Sequence, residues 1–307
     1  MSRAPALLIV NPSSGRERAA EHLEALAGAL GPAYGQLEIV HTAGDGDAET
    51  AATGAAAAGC TTIFVAGGDG TLNEALNGVV TAGCLEQVRF GILPLGTGND
   101  FAAGLGIPVE IDGAVEVLLA ARELRVDVGV VNGRCFLNTS GGGFIAEVSV
   151  AVTTELKTIA GRLAYLIGGA QALMEYEPVR ATVTADPGQF RIGLGLYAFA
   201  VCNSRLIGGG QLIAPSALID DGLLDVCLIE AMGTIEFIAL ARKVADGGHV
   251  DDPRVRYLQA SSITIELDRE SHINTDGELL TATRCEYSVR PRAARFFAGD
   301  APFVSVK

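Results

Sequence analysis

The sequence predicts an α/β domain with a parallel sheet followed by a mostly antiparallel β domain. Three observations carry this. Strand-like and helical stretches alternate up to about residue 125, strand runs linked by turns dominate from about residue 126, and 307 residues are about twice the usual domain size. The expected division is 1–125 for the first domain and 126–292 for the second, with 293–307 returning to the first.

The first half starts with the apolar run Ala6 to Val10, then a helical stretch from Glu17 to Leu30. A second strand, Leu37 to His41, precedes an Ala-rich helix after Asp47. Thr62 to Ala66 and Arg89 to Leu93 read as strands, with helices at Thr71 to Val80 and Ile111 to Ala121 between and after them. Ligands of such sheets bind at the strand C-terminal ends. The second half offers strand runs at Val126 to Val131, Cys135 to Asn138, Val179 to Ala185, Ile192 to Cys202, Leu224 to Ile229, Ser262 to Leu267 and Arg284 to Val289. One helix interrupts them, where Leu156, Ile159, Leu163, Leu166, Ile167 and Leu173 recur at helical spacing beneath Lys157 and Arg162. Core packing is the expected use of that stripe, and a lipid-facing lid is the alternative.

Composition removes several classes of function. Disorder is excluded by 49% hydrophobic against 19% charged residues. The net charge of −14 argues against a nucleic-acid partner and means that any anionic ligand is met locally. Six scattered cysteines form no CxxC and no Cys/His cluster, so they read as reduced, buried thiols. The apolar run at the N-terminus is too short for a signal peptide, and Asp225, Glu230 and Glu236 break the longest later one, so no transmembrane segment and a cytoplasmic protein are expected.

Two glycine loops point to chemistry. Val65-Ala66-Gly67-Gly68-Asp69-Gly70-Thr71 runs from a buried strand into a helix, and glycines there let the backbone approach a phosphate. A Rossmann fingerprint would need a third glycine where Asn73 stands, and a Walker loop would need a lysine, whereas the first Lys of the chain is Lys157. Asp69 among such glycines would repel a nucleotide unless a divalent cation lay between them, which implies Mg²⁺-nucleotide chemistry. A glycine turn with a solvated Asp is the other reading, and this loop alone leaves both open. Thr71 and Glu74 also fit a capping box, so Glu74 reads as a cap. The second loop, Leu95-Gly96-Thr97-Gly98-Asn99-Asp100-Phe101-Ala102, again follows a strand and falls at the same sheet edge.

The pair GGDGT and GTGNDFA resembles the catalytic domain of the diacylglycerol kinase family. Further blocks agree in order: Asn11 to Gly15 (NPSSG), Thr42 before Gly46-Asp47-Ala48, Gly141 to Phe144, Gly208 to Gln211, Ala217 to Leu224 and Asp276-Gly277-Glu278. Together they cover about nine-tenths of the chain and are most similar to soluble bacterial lipid kinases of the YegS and BmrU kind. The resemblance implies an NAD kinase-like and diacylglycerol kinase-like first domain and a β-sandwich-like second one. It implies ATP and Mg²⁺, with Gly67, Gly68, Asp69, Gly70 and Thr71 on the phosphates and Asp69 engaging metal and phosphate. Asn11 and Thr42 line the nucleotide, and Gly96, Thr97, Asn99 and Asp100 support the same network. Asp221 holds a structural Mg²⁺ with backbone carbonyls near Leu218 and Leu223, and Glu278 is the general base. Without the resemblance, Asp220-Asp221-Gly222 is a turn signal and Asp276-Gly277 a hairpin turn. Asp276 is the next proton acceptor to consider after Glu278.

The activity implied is transfer of the γ-phosphoryl group of ATP to a lipid hydroxyl at a membrane surface. Diacylglycerol giving phosphatidic acid is the expected reaction, or a related lipid such as phosphatidylglycerol. Ile145 stands where many bacterial members have Asp, a form that resembles sphingoid-base kinases, so the headgroup stays open. The alternatives are an NAD kinase-like enzyme, which fits GTGNDFA and the later blocks poorly, and a silent lipid- or nucleotide-binding regulator, which the intact Asp69, Asp100, Asp221 and Glu278 disfavour. A homodimer is one partner state to test. Arg290, Arg292 and Arg295 beside Phe296 and Phe297 form a basic-aromatic cluster, for which packing of the two rings is favoured over bilayer contact. The four separated histidines are expected to be packed or solvated.

Overall fold

The computed structural model describes residues 6–14, 28, 30–34, 37–151, 176–186 and 188–305. The expected stretches 17–27 and 156–174, with Gly15, His22, Lys157 and Arg162, lie outside the described residues.

Four strands pair in parallel in the order β2 (Leu37–His41), β1 (Ala6–Val10), β3 (Thr62–Gly67) and β4 (Arg89–Pro94). Every residue of β1 and β3 is buried, as expected for parallel strands covered on both faces. Helices α1 (Asp47–Ala57) and α2 (Asp69–Thr81) follow β2 and β3 and pack on each other. The short α3 (Asp100–Gly104) and α4 (Ile111–Ala120) follow β4.

The remaining strands are β5 (Glu123–Val131), β6 (Arg134–Phe136), β7 (Thr139–Gly143), β8 (Val179–Ala185), β9 (Phe190–Cys202), β10 (Leu206–Ile207), β11 (Gln211–Leu212), β12 (Leu224–Glu230), β13 (Val255–Ala260), β14 (Ser262–Thr275) and β15 (Glu278–Phe297). Pairings among them are antiparallel. Helices α5 (Phe144–Ala151) and α6 (Thr234–Lys243) are inserted between them. Strands β14 and β15 run well beyond the stretches that hydrophobicity marks, because their exposed faces carry charge and only alternate residues reach the core.

The far end of β15 joins the first sheet. Arg295 and Phe296 pair in parallel with Arg89 and Phe90 of β4, so a single sheet runs through both halves. Phe296 and Phe297 are fully buried and stack on Phe90 and Phe64 at 5.1 and 6.1 Å between ring centres. Position 125/126 lies inside β5, whose Val126 and Val128 pack in the first core and Val131 in the second. No disulfide occurs among the described residues, and no helix among them is long and apolar enough to cross a membrane.

Candidate active site

The two glycine loops meet backbone to backbone at the C-terminal ends of β3 and β4. A Cβ built on Gly96 would stand 2.5 Å from the Cα of Gly68, and one on Gly67 would stand 2.9 Å from Thr71. Only hydrogen fits between them. Gly68 is the N-cap of α2, so the N–H groups of Asp69, Gly70 and Thr71 head that helix without intrahelical acceptors, the arrangement that receives anions. The second loop is closed on itself, with Asn99 in the left-handed region at φ 56°. Its Oδ1 accepts from Gly96 N at 2.9 Å and its Nδ2 donates to Gly96 O at 2.7 Å. Thr97 and Gly98 are exposed at the loop tip. A cleft of about 400 Å³ opens beside it, lined by Pro94–Asn99 with Val109 and Ile111.

Asp69 links the loops. Its Oδ2 accepts from Asp100 N at 3.1 Å, and its Oδ1 accepts from Phe101 N at 3.1 Å and from Asn138 Nδ2 at 3.3 Å. A carboxylate oxygen has two lone pairs, so Oδ1 is filled and Oδ2 keeps one for a cation. Asp100 points the other way, its oxygens accepting from Gly209 N and Gly210 N at 3.0 and 2.8 Å. Those glycines lie in a run of positive φ from Gly208 to Gly210, a nest of N–H groups around the carboxylate. Burial raises the pKa of Asp100, with the Asp69 charge adding to it and the Gly209 and Gly210 amides opposing.

Asn11 closes β1 at the same edge. Its Oδ1 accepts from Ser13 N and Oγ, and its Nδ2 donates to Thr71 Oγ1 at 3.0 Å. Thr42 is buried next to it, its N donating to Val10 O at 2.9 Å. The capping box expected from Thr71 and Glu74 does not form, because the N-cap of α2 is Gly68, three residues before Thr71. Thr71 is thereby freed to accept from Asn11, and Glu74 accepts from Ala48 N at 3.2 Å at the start of α1.

Asp276 and Gly277 have φ 46° and 95°, the left-handed pair of a two-residue hairpin turn, and Thr275 pairs with Glu278 across it. The hairpin reading and a site for Glu278 therefore coexist. Asp276 is tied into the backbone: its carboxylate takes the N–H groups of Leu137, Asn138 and Thr139 at 2.6 to 3.2 Å. Burial, more than the Asp69 charge, raises its pKa to about 7 against those three amides. The turn rests over the first loop, with Asp276 O 3.9 Å from a Cβ built on Gly70. Glu278 lies in the fork of Arg134, with Nε to Oε2 at 2.8 Å and Nη2 to Oε1 at 2.5 Å. Sequence reasoning passed over Arg134, although Asn132-Gly133, another left-handed pair, is a hairpin signal that sets Arg134 opposite Val131. Asn138 carried no signal of its own.

Asp221 lies apart from these loops, in a carboxylate corner at the end of β12. Asp221 Oδ1 accepts from Leu223 N at 3.0 Å, and Gly222 follows with φ 79°. Asp127 accepts from Gly222 N and Arg292 N, both at 2.6 Å, and Asp220 accepts from Ser305 N and Oγ. Burial raises the pKa of both Asp127 and Asp221, and neighbouring carboxylates add to it. Their one ionic partner among the described residues is Arg292, 3.6 Å from Asp220. That surplus of negative charge fits a cation, though no group of three or more His, Cys, Asp or Glu side chains of metal-binding geometry occurs among the described residues. His249 is buried with Nε2 on Ile213 O, His272 contacts Glu147, and His41 is exposed, so none of these three enters the loops.

Residues 5–131 match the model of the diacylglycerol kinase catalytic domain, and residues 140–298 match that of the YegS C-terminal NAD kinase beta sandwich-like domain. A diacylglycerol kinase of Bacillus subtilis (strain 168) is 34% identical over 274 residues, 89% of each chain. A probable lipid kinase YegS-like protein of Pseudomonas aeruginosa is 33% identical over 96% of this chain and 94% of its own. A solved structure from Bacillus anthracis str. Sterne superposes with a TM-score of 0.83 at 28% identity, covering 98% of this chain and 97% of that one.

Proposed function

The chain belongs to the diacylglycerol kinase catalytic-domain family, and from that premise we propose that this lipid kinase transfers the γ-phosphoryl group of ATP to the hydroxyl of diacylglycerol, giving phosphatidic acid. The observation that carries the reading is the Asp69 carboxylate, fixed between two glycine loops with one lone pair of Oδ2 unused. Asp69 would hold a nucleotide-bound Mg²⁺, and Asp221 with carbonyls of Leu218 and Leu223 a structural one. When bound, Mg²⁺ supplies neutralisation of charge on the transferring phosphoryl group.

The chain's own groups do the rest. The head of α2, through Asp69, Gly70 and Thr71, receives phosphate oxygens. The 400 Å³ cleft beside Gly96–Asn99 suits the nucleoside, its exposed Val109 offering an apolar wall. Asp100 fixes the Gly208–Gly210 loop against the same edge. Glu278 accepts the proton of the attacking hydroxyl. Phe144, Tyr176, Tyr197 and Phe237 form one aromatic cluster next to the glycine strand β7, with Tyr197 and Phe237 buried and Phe144, Ile145 and Tyr176 partly exposed at its edge, where a lipid would meet it. The acceptor is met at a membrane surface, the enzyme working from the cytoplasm as a peripheral protein.

Labelled ATP with mixed micelles of diacylglycerol, phosphatidylglycerol or a sphingoid base, and NAD as a fourth acceptor, tests this. Label in phosphatidic acid supports the proposal. Label in the sphingoid base would move the headgroup as Ile145 hints, and label in NAD alone would overturn the lipid acceptor.

A further inference from the structure

Three acidic side chains and one guanidinium meet where α1, α2, β6 and the start of β15 converge. Arg134 Nη2 is shared, 2.5 Å from Glu278 Oε1 and 2.7 Å from Glu49 Oε2, while its Nε holds Glu278 Oε2. Glu74 lies close enough to feel the Glu278 charge. The Arg134, Glu49 and Glu278 side chains are 23%, 27% and 29% exposed, so these contacts are much less screened than surface pairs. Burial works against the charge on Arg134, and hydrogen bonds to Glu49 and Glu278 outweigh it.

A carboxylate with both oxygens in a guanidinium fork is well placed but occupied. Each oxygen keeps a second lone pair that can take a proton, but a neutral carboxyl holds a guanidinium far more weakly than a carboxylate does, and a guanidinium that lost that contact with no other partner would be left half-paired in a partly buried site. Glu49 removes this difficulty because it already holds the same Nη2. We propose that Arg134 is a positioning residue that aims Glu278 at the acceptor hydroxyl and hands its Nη2 over to Glu49 as Glu278 takes the proton. The hydroxyl O–H bond breaks and its proton goes to Glu278 Oε1. The hydroxyl oxygen forms the new bond to the γ-phosphorus, and the bond from that phosphorus to the bridging oxygen breaks, its electron pair leaving on ADP. Glu278 is then neutral and Arg134 remains paired with ionised Glu49. This rests on the reading of Glu278 as the base.

The test is steady-state kinetics of the full chain on diacylglycerol micelles, with thermal unfolding of each variant. Arg134→Met should lower kcat about 10- to 100-fold with KM for ATP within about threefold. The double variant Arg134→Met/Glu278→Gln should be no slower than Glu278→Gln, because Arg134 acts only through that carboxylate. Glu49→Gln should lower kcat about three- to tenfold at unchanged KM, since the hand-over loses its receiver. Arg134→Lys keeps the charge without the fork and should fall between wild type and Arg134→Met, which keeps the test open if Met disrupts folding. Wild-type kcat in Arg134→Lys or Arg134→Met beside a slow Glu278→Gln enzyme would overturn the positioning role alone, as would losses that multiply in the double variant. A Glu278→Gln enzyme of near-normal rate would overturn the base and the hand-over together.

Discussion

Asp276 and Thr139 hold each other twice: Asp276 N donates to Thr139 O at 3.0 Å, and Thr139 N donates to Asp276 Oδ1 at 2.9 Å. The hairpin turn is thereby fixed to the segment whose Asn138 reaches Asp69. Asp276→Ala leaves buried amides unpaired and should cost about 1–3 kcal/mol of stability. Turnover should fall as well, because Asn138 and Glu278 both depend on that turn. Thermal unfolding and kcat check this, and an unchanged melting temperature would remove the anchor role.

The same carboxyl sets a pH slope. Its folded pKa of about 7 lies above the ordinary value of 3.8, so between about pH 4 and 7 the folded chain holds a proton that the unfolded chain has lost. The contribution of Asp276 to stability is therefore greatest at the acid end of this window and declines as pH rises through about 7. Wild type should lose stability relative to Asp276→Asn across that range. Parallel profiles of the two proteins would count against a raised pKa.

Asp69→Ala should abolish turnover and weaken the start of α3. The amides of Asp100 and Phe101 lose their acceptor, a loss worth about 1 kcal/mol by analogy with N-caps. Fluorescent-nucleotide titration should show weakened ATP binding in Mg²⁺ buffer, and full affinity would exclude Asp69 from the phosphate site.

Glu278→Gln keeps the shape of the side chain and should preserve the fold and most ATP affinity. Turnover should drop about 10²- to 10⁴-fold if its role is to take the proton. Retention of more than about half the activity at saturating lipid would transfer the role elsewhere.

Asp221→Ala should lower both activity and melting temperature in Mg²⁺ buffer, and chelation should lower the wild-type melting temperature while leaving the variant unmoved. A variant that behaves like wild type in both respects would leave Asp220-Asp221-Gly222 as a turn.

The order of strands and helices in the first half was legible because each β-strand there is a short apolar run, and glycines or charged residues punctuate it. The tight loops at glycines 67, 68 and 96 were legible for the same local reason, since a strand that enters glycines before a helix marks a place where backbone or ligand comes close. The resemblance extended this to Asn11, Thr42, Asp100, Asp221 and Glu278 by order along the chain. None of these signals contained a partner. That Asp69 caps α3 and receives Asn138, that Asp100 is bound by Gly209 and Gly210, and that Arg134 lies between Glu49 and Glu278 are contacts across 31 to 144 positions. Residues so far apart meet only where the packed sheet sets their elements side by side. Propensity and periodicity act within a turn or a strand, whereas hydrogen-bond partners in a buried site are chosen by which elements the packed cores bring together.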